Sequence, residues 1–407
     1  MEATRYTVPQ SNTSFSSSSS DFSLCPTAAT LFFLPSIYTL LFLTALPGNM
    51  LSLWVFLRCI STVSPTHIYL SHLSISNMLL SLTTPFLAAY YARGSVWTLN
   101  SVLCQVVLHG ITPVLHINIY ISLMILTCVA LSRFAALIQN THASRPHACT
   151  TLLPHAFFTR LTRVSFAHNV SATLWVVSVG CIVPGTIYYS VHEATGSPTA
   201  AAGEDGEAAT GGCGKVCYSP AVELGGSLSA ALKVPVITLF FAFYLLVLLA
   251  YMTVLRHLRR SRRHSPASAS QSLPSRVLRN IVVIQVVLSV CLLPYHIFKP
   301  IFISLVHDQL RLASSPGPDI CSYCHPLSIF IELKNCLLLL TALRGSTDPM
   351  MYFLLDRTFR HQTLRLLRCY QKKPRRQPVF GSTTGSASPR ADQLGEGTVA
   401  LSQETVL

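Results

Sequence analysis

Arg344 and Asp348 stand four residues apart in an otherwise apolar stretch. On a helix that spacing puts both side chains on one face, within reach of each other. An arginine in the middle of a membrane-spanning helix costs about 2.5–3.5 kcal/mol on insertion scales unless it is paired. The spacing therefore offers an internal ion pair. A second group is Tyr295, His296 and Lys299, an aromatic ring, an imidazole and an ammonium within about one helical turn. Lys334 and Asn335 follow on a later stretch, and Arg93 lies near another loop. Lysines gathered in this way suit a carboxylate, a phosphate or a lipid headgroup. The plainer alternative is that Lys299 and Lys334 reach out to headgroups, with Glu332 neutralising Lys334. No catalytic set is expected: histidines and serines are plentiful, but none pairs with an aspartate at a credible site. Cys321-Ser322-Tyr323-Cys324-His325 matches the haem-attachment string, yet it sits in a short loop without cytochrome context. A disulfide is expected there, and neither a metal nor another cofactor.

The elements that position these residues are set by composition. Of 407 residues, 50% are hydrophobic and only 11% are charged, where a soluble domain carries about a quarter charged. Seven apolar stretches are long enough to cross a bilayer, which takes roughly 20 residues, at 30–57, 66–91, 102–133, 168–190, 227–256, 277–306 and 326–355. The net charge of +14 is concentrated in alternate loops. Arg160 and Arg163, the run Arg256 to Arg279, and the run Arg357 to Arg376 mark one side. Glu193, Glu204, Asp205 and Glu207 mark the other. By the positive-inside rule the N-terminus lies outside and the C-terminus inside. A nucleic-acid partner would need a soluble basic face, and none is present. The expected organisation is an all-α seven-transmembrane helix bundle over 30–355. Before it stands an extracellular N-terminus over 1–29, with a glycan acceptor at Asn12. After it come a short amphipathic eighth helix at 356–371 and a disordered cytoplasmic tail at 372–407. Cys25, Cys104, Cys213, Cys217, Cys321 and Cys324 fall on the oxidising side.

Ordered motifs along the spans resemble the rhodopsin-like (class A) G-protein-coupled receptors. They are Gly48-Asn49 on the first span, Leu73 and Asn77 on the second, Cys104 and Ser132-Arg133-Phe134 on the third, and Trp175 and Pro184 on the fourth. Pro235 follows on the fifth, Cys291-Leu292-Leu293-Pro294-Tyr295-His296 on the sixth, and Asp348-Pro349-Met350-Met351-Tyr352 on the seventh, with Phe359 beyond. Within that class the purinergic-type branch is most similar, through the run Pro294 to Lys299 and Asp-Pro in place of Asn-Pro. The resemblance covers about residues 25–372.

It implies a plasma-membrane receptor that converts the binding of an extracellular small ligand into activation of a heterotrimeric G protein. Arg133, Phe134 and Tyr352 would serve coupling. Ser132 replaces the acidic neighbour that usually restrains the arginine, which predicts basal activity. Asn49, Asn77, Asn118, Ser122, Arg344 and Asp348 map to the interior polar switch. Asn77 stands where relatives use an aspartate to bind sodium, so Arg344 is expected to replace the ion and bond Asp348, Asn77 and Ser122. A static polar knot is the alternative. Leu292 replaces the usual tryptophan, leaving Pro294 as the hinge. The ligand site would open outward among the third, sixth and seventh spans, with His116, Tyr120, Tyr295, His296, Lys299, Lys334 and Asn335. The family pattern implies a Cys104–Cys217 bridge, with Cys25–Cys324 as a second, and leaves Cys213 and Cys321 either bridged or free. Cys104 lies about one turn further from Arg133 than the pattern has it, or about 5 Å, which touches the depth assigned to His116.

Beyond the bundle, Phe359, Leu364 and Leu367 would face lipid on the amphipathic helix, with Cys369 as a palmitoylation site. Ser382, Thr383, Thr384, Ser386 and Ser388 could take phosphates and recruit arrestin. Glu404-Thr405-Val406-Leu407 ends as a PDZ ligand does. Two other readings stay open. One is a non-signalling or constitutively active receptor-like scaffold. The other is a transporter or channel, against which stands the lack of internal repeats.

Overall fold

A backbone in lipid must satisfy its own hydrogen bonds, and a helix does so within one segment. A computed structural model of the chain describes residues 26–95, 110–144, 155–195, 227–264, 272–312 and 327–371, and among these it contains helices and no strand. The first span is Leu34–Trp54, flanked by π-helical turns Ala29–Phe33 and Val55–Cys59. The second is Pro65–Ala92, the third Thr112–Ser144, the fourth Val164–Thr195 and the fifth Ser227–His264. The sixth is built of Ser272–Val287, a π-helical turn Leu288–Leu292, and Leu293–Leu312. The seventh is Ser328–Leu355.

Six of these helices are long and apolar enough to cross a membrane by composition alone. The seventh falls short of that measure because it carries Glu332, Lys334, Arg344 and Asp348. Its place is set by packing, since it lies against the first, second and sixth spans. Several helices also outrun the apolar stretches. The third continues to Ser144 and the fifth to His264, and residues 155–161, expected in a loop, form a short helix, His155–Leu161. Hydropathy marks where lipid ends, whereas polar helix formers carry the helix on into water.

Local chemistry fixes the ends of the second span. Ser64 and His67 form a reciprocal capping box, with Pro65 at the first helical position. At the other end Gly94 (φ 73°) and Ser95 (φ 62°) turn left-handed. The Gly94 N–H donates to the Tyr91 carbonyl at 2.9 Å and the Ser95 N–H to the Tyr90 carbonyl at 3.2 Å, which closes the helix. The core runs through Leu34, Tyr38, Leu41, Leu80, Tyr91, Leu115 and Leu339, all buried, from the first, second, third and seventh spans. Outward faces carry exposed large apolar side chains such as Leu43, Trp54, Val176, Leu249, Ile301 and Met350, as a lipid solvent requires. Gly48 lets the first span approach the seventh: a Cβ there would lie 3.2 Å from Pro349 Cγ.

A final helix, Arg357–Gln371, begins just after the seventh span. Its first part belongs to the same compact unit as the bundle, Met1–Leu364, and the rest to a second unit, Arg365–Leu407. Asn12, Cys25, Cys104, Cys213, Cys217, Cys321, Cys324, the phosphorylation candidates and the PDZ-like terminus lie outside the described residues, as does the side chain of Cys369.

Candidate functional site

Midway along the bundle four helices aim polar side chains at one point. The Arg344 guanidinium is fully buried and pairs with the Asp348 carboxylate through Nη1, on the turn below it. Its Nη2 donates to Asn77 Oδ1 at 3.1 Å, Asn118 Oδ1 at 3.1 Å and Ser122 Oγ at 2.6 Å. Asn77 Nδ2 donates to Asp348 Oδ2 at 2.7 Å and to Asn49 Oδ1 at 3.1 Å. Asn49 Nδ2 donates to the Gly345 and Ala45 carbonyls, each at 2.8 Å. Asn118 adds a bond to Ser76 Oγ at 3.0 Å. The first, second, third and seventh spans are thus tied by one network of side-chain hydrogen bonds. Arg344 Nε and Asp348 Oδ1 take no hydrogen bond in it.

Toward the end of the bundle where Thr27 sits, a second polar group lies between the third, fifth, sixth and seventh spans. His296 is fully buried, stacked on Phe240 of the fifth span with ring centroids 3.7 Å apart, and edge-on to Tyr120 at 5.9 Å. Its Nδ1 lies 2.8 Å from the Leu292 carbonyl. A carbonyl only accepts, so Nδ1 carries the proton and Nε2 presents a lone pair. Nε2 makes no hydrogen bond among the described residues. Lys299 is 5% exposed. Its ammonium lies 5.0 Å from the Tyr295 ring centroid and has no hydrogen-bond partner among the described residues. Asn335 is buried, with Oδ1 likewise unbonded. His116 is half-buried and its Nδ1 sits 2.9 Å from the Thr112 carbonyl. Lys334 is half-exposed, over the Phe302 ring at 5.2 Å.

One reading changes here. Lys299 does not reach for headgroups, because it is buried among the spans. Glu332 faces the start of the chain: it accepts from the Thr27 N–H at 2.7 Å, Thr27 Oγ1 at 2.8 Å and Thr30 Oγ1 at 2.7 Å.

At the opposite end, Arg133 is a quarter exposed and its Nη2 lies 3.7 Å from Asp356 Oδ2. The same oxygen receives His67 Nε2 at 2.9 Å. Sequence reasoning left Arg133 without an acidic restraint, because Ser132 stands beside it. An acidic group does face Arg133, but it belongs to Asp356, the residue that follows the seventh span. The signal for Asp356 in the sequence was an N-cap: an aspartate just ahead of an amphipathic helix. Phe134 packs with Ala135 and Ile138 against Phe158 of the short helix His155–Leu161. Tyr352 is fully buried, against Phe56 at 5.6 Å and Phe359 at 6.0 Å.

The profile of the 7 transmembrane receptor (rhodopsin family) matches residues 48–352, a stretch that begins one residue before Asn49 and ends on Tyr352. The chain belongs to the rhodopsin-family seven-transmembrane receptors. This rhodopsin-family receptor is 36% identical over 329 residues to "Probable G-protein coupled receptor 82" of Homo sapiens, covering 80% of this chain and 89% of that one. The mouse protein of that name is 34% identical, covering 82% and 94%. A more distant relative is the human "Uracil nucleotide/cysteinyl leukotriene receptor", 26% identical, covering 87% and 81%. These matches place the receptor in the purinergic-type branch. It is a multi-pass membrane receptor that signals through G proteins in response to a small ligand, and it is not an enzyme.

In the receptor's sixth span Pro294 follows the π-helical turn, with the Leu293 N–H donating to the Leu288 carbonyl one residue further back than in an α-helix. His296 and Lys299 lie just beyond that turn, and Asn280, before it, reaches the Leu355 carbonyl at 3.5 Å. One helix with a weak point therefore links the two ends.

Proposed function

We propose that this receptor has its N-terminus outside the plasma membrane and binds a small anionic ligand between the third, fifth, sixth and seventh spans. The ligand's acidic group meets Lys299. The observation that carries this reading is the buried Lys299 ammonium without a hydrogen bond among the described residues. Leaving a buried polar group unbonded costs about 1–3 kcal/mol, and more for a charged one, so a protein that keeps it there has a use for it. The bare Nε2 of His296 and Oδ1 of Asn335 are acceptors, which calls for a ligand that also carries a hydroxyl or amide N–H donor. The name of the uracil nucleotide/cysteinyl leukotriene receptor supports the acidic requirement, since uracil nucleotides and cysteinyl leukotrienes both carry acidic groups.

Ligand contact biases the sixth span about Pro294, and Arg133, Phe134 and Tyr352 meet the G protein. The test is a screen of anionic metabolites read out on several G proteins in wild type and Arg133→Ala at equal surface level. A response that disappears in Arg133→Ala is expected; one that persists undiminished removes Arg133 from coupling. A chain that engages ligand but activates no G protein is a scaffold, as the sequence left open.

The central network is proposed as a switch in which Arg344 takes the place of a sodium ion. A fully satisfied knot has nothing to gain by rearranging, whereas this one keeps a spare donor at Arg344 Nε and a spare acceptor at Asp348 Oδ1. Varying sodium against an inert cation at constant ionic strength is therefore expected to leave ligand affinity and signalling unchanged. A sodium-dependent shift in affinity of tenfold or more would contradict it.

The remaining assignments extend the same reading: a glycan on Asn12, bridges Cys104–Cys217 and Cys25–Cys324, a palmitoyl group on Cys369, arrestin on the phosphorylated tail and a PDZ protein at Leu407. The hold of Glu332 on Thr27 and Thr30 supports the Cys25–Cys324 bridge, because it keeps the start of the first span beside the seventh.

A further inference from the structure

We infer that Asp356 is the positioning residue that holds Arg133 in the resting receptor, in place of the acid missing at Ser132. This rests on the reading that Arg133 serves coupling. Asp356 is 5% exposed and is bonded on both oxygens. Oδ1 accepts from the Phe359 N–H at 2.9 Å, which caps the helix Arg357–Gln371. Oδ2 accepts from His67 and faces Arg133 at 3.7 Å.

The tautomer of His67 is set by the capping box. The Ser64 N–H donates to His67 Nδ1 at 3.2 Å, so the ring's proton sits on Nε2 and points at Asp356. Phe56 lies beside this group, 6.0 Å from the His67 ring and 4.9 Å from Phe359. Burial alone would raise the Asp356 carboxyl, but the hydrogen bond and electrostatic attraction of His67, then the Phe359 N–H and the Arg133 charge, outweigh it and hold the group below the usual carboxylate range.

The arrangement is asymmetric. Asp356 is held by the His67 Nε2–H and the Phe359 N–H whether Arg133 is present or not. Arg133 is a quarter exposed and sits at the long end of ion-pair distance. Releasing it leaves the Asp356 carboxylate with its His67 and Phe359 hydrogen bonds, so the contact can open when a G protein competes for the arginine. That is how a latch differs from a structural ion pair, whose loss would unfold the site.

The test is Asp356→Asn, which keeps an oxygen for the Phe359 N–H, alone and combined with Ser132→Asp. Agonist-free G-protein dissociation is measured at matched surface level. Spin labels on the Arg133-side ends of the third and sixth spans give a distance in the same variants. Asp356→Asn is expected to raise basal signalling about two- to fivefold, the range a partly exposed ion pair supplies, and to lengthen the label distance. Ser132→Asp in the same chain is expected to reverse both. A label distance and basal signal equal to wild type in Asp356→Asn overturn the inference. So does a change that Ser132→Asp fails to reverse, which is the mark of a merely structural cap. Labels that part and return while no G protein responds to any variant would remove the coupling reading and leave the latch standing.

Discussion

Arg344→Leu is expected to remove nearly all of the receptor from the cell surface. The substitution takes the only guanidinium out of a network whose members are almost completely buried. Asp348 keeps the Asn77 bond but loses its counter-charge, and Asn77 Oδ1, Asn118 Oδ1 and Ser122 Oγ lose their shared donor. Breaking a buried ion pair from one side costs about 3–5 kcal/mol, against a total stability of about 5–15 kcal/mol. Surface immunostaining below about a tenth of wild type is expected, with a lower Tm for whatever protein is recovered. Arg344→Leu with Asp348→Asn removes both charges while leaving Asn77 an amide oxygen to bond. It is expected to recover part of the surface level. A single variant that folds and traffics like wild type would show that the pair carries no such load.

Lys299→Met is expected to separate stability from function. Methionine fills much of the lysine's volume and needs no hydrogen bond, so the ligand-free receptor should gain about 1–3 kcal/mol from losing an unbonded buried charge. The response to an anionic agonist should weaken by about 2 kcal/mol or more, the usual loss when one side of a buried charged contact is truncated. That is about thirtyfold in affinity. Paired thermal-shift and dose–response measurements check both parts. A Tm that falls together with the response would mark Lys299 as a packing residue. A Tm that rises while the response is unmoved would put the ligand's acid elsewhere, with Lys334 as the next position to substitute.

The spans were legible because lipid demands long apolar runs, and the loop charges gave their order. The Arg344 and Asp348 neighbourhood was legible for the opposite reason: charges in an apolar run have few ways to survive, and a four-residue spacing supplies one. Lys299 was legible only by type. Whether a lysine near a helix end turns outward or inward depends on rotation about the helix axis, which the packing of Phe240 on His296 reveals and the sequence does not. Asp356 was missed as a partner of Arg133 because the two meet only after five intervening helices have folded, and His67 gave no sign beyond its place in a capping box. The π-helical turn Leu288–Leu292 was missed too, since it shifts one hydrogen bond without changing the residues that make it.

The central network has one further consequence, and it is electrical. A receptor that admits a mobile ion to its middle couples its equilibrium to the transmembrane voltage, at up to about 2.3 kcal/mol per elementary charge per 100 mV. Here the positive charge is covalently part of the seventh span and stands one helical turn from its counter-charge. Rearranging such a pair displaces a small dipole over a short path. Depolarising the cell would then leave the resting and active states in nearly the same balance, and the receptor would report on its ligand independently of the electrical activity of the cell that carries it.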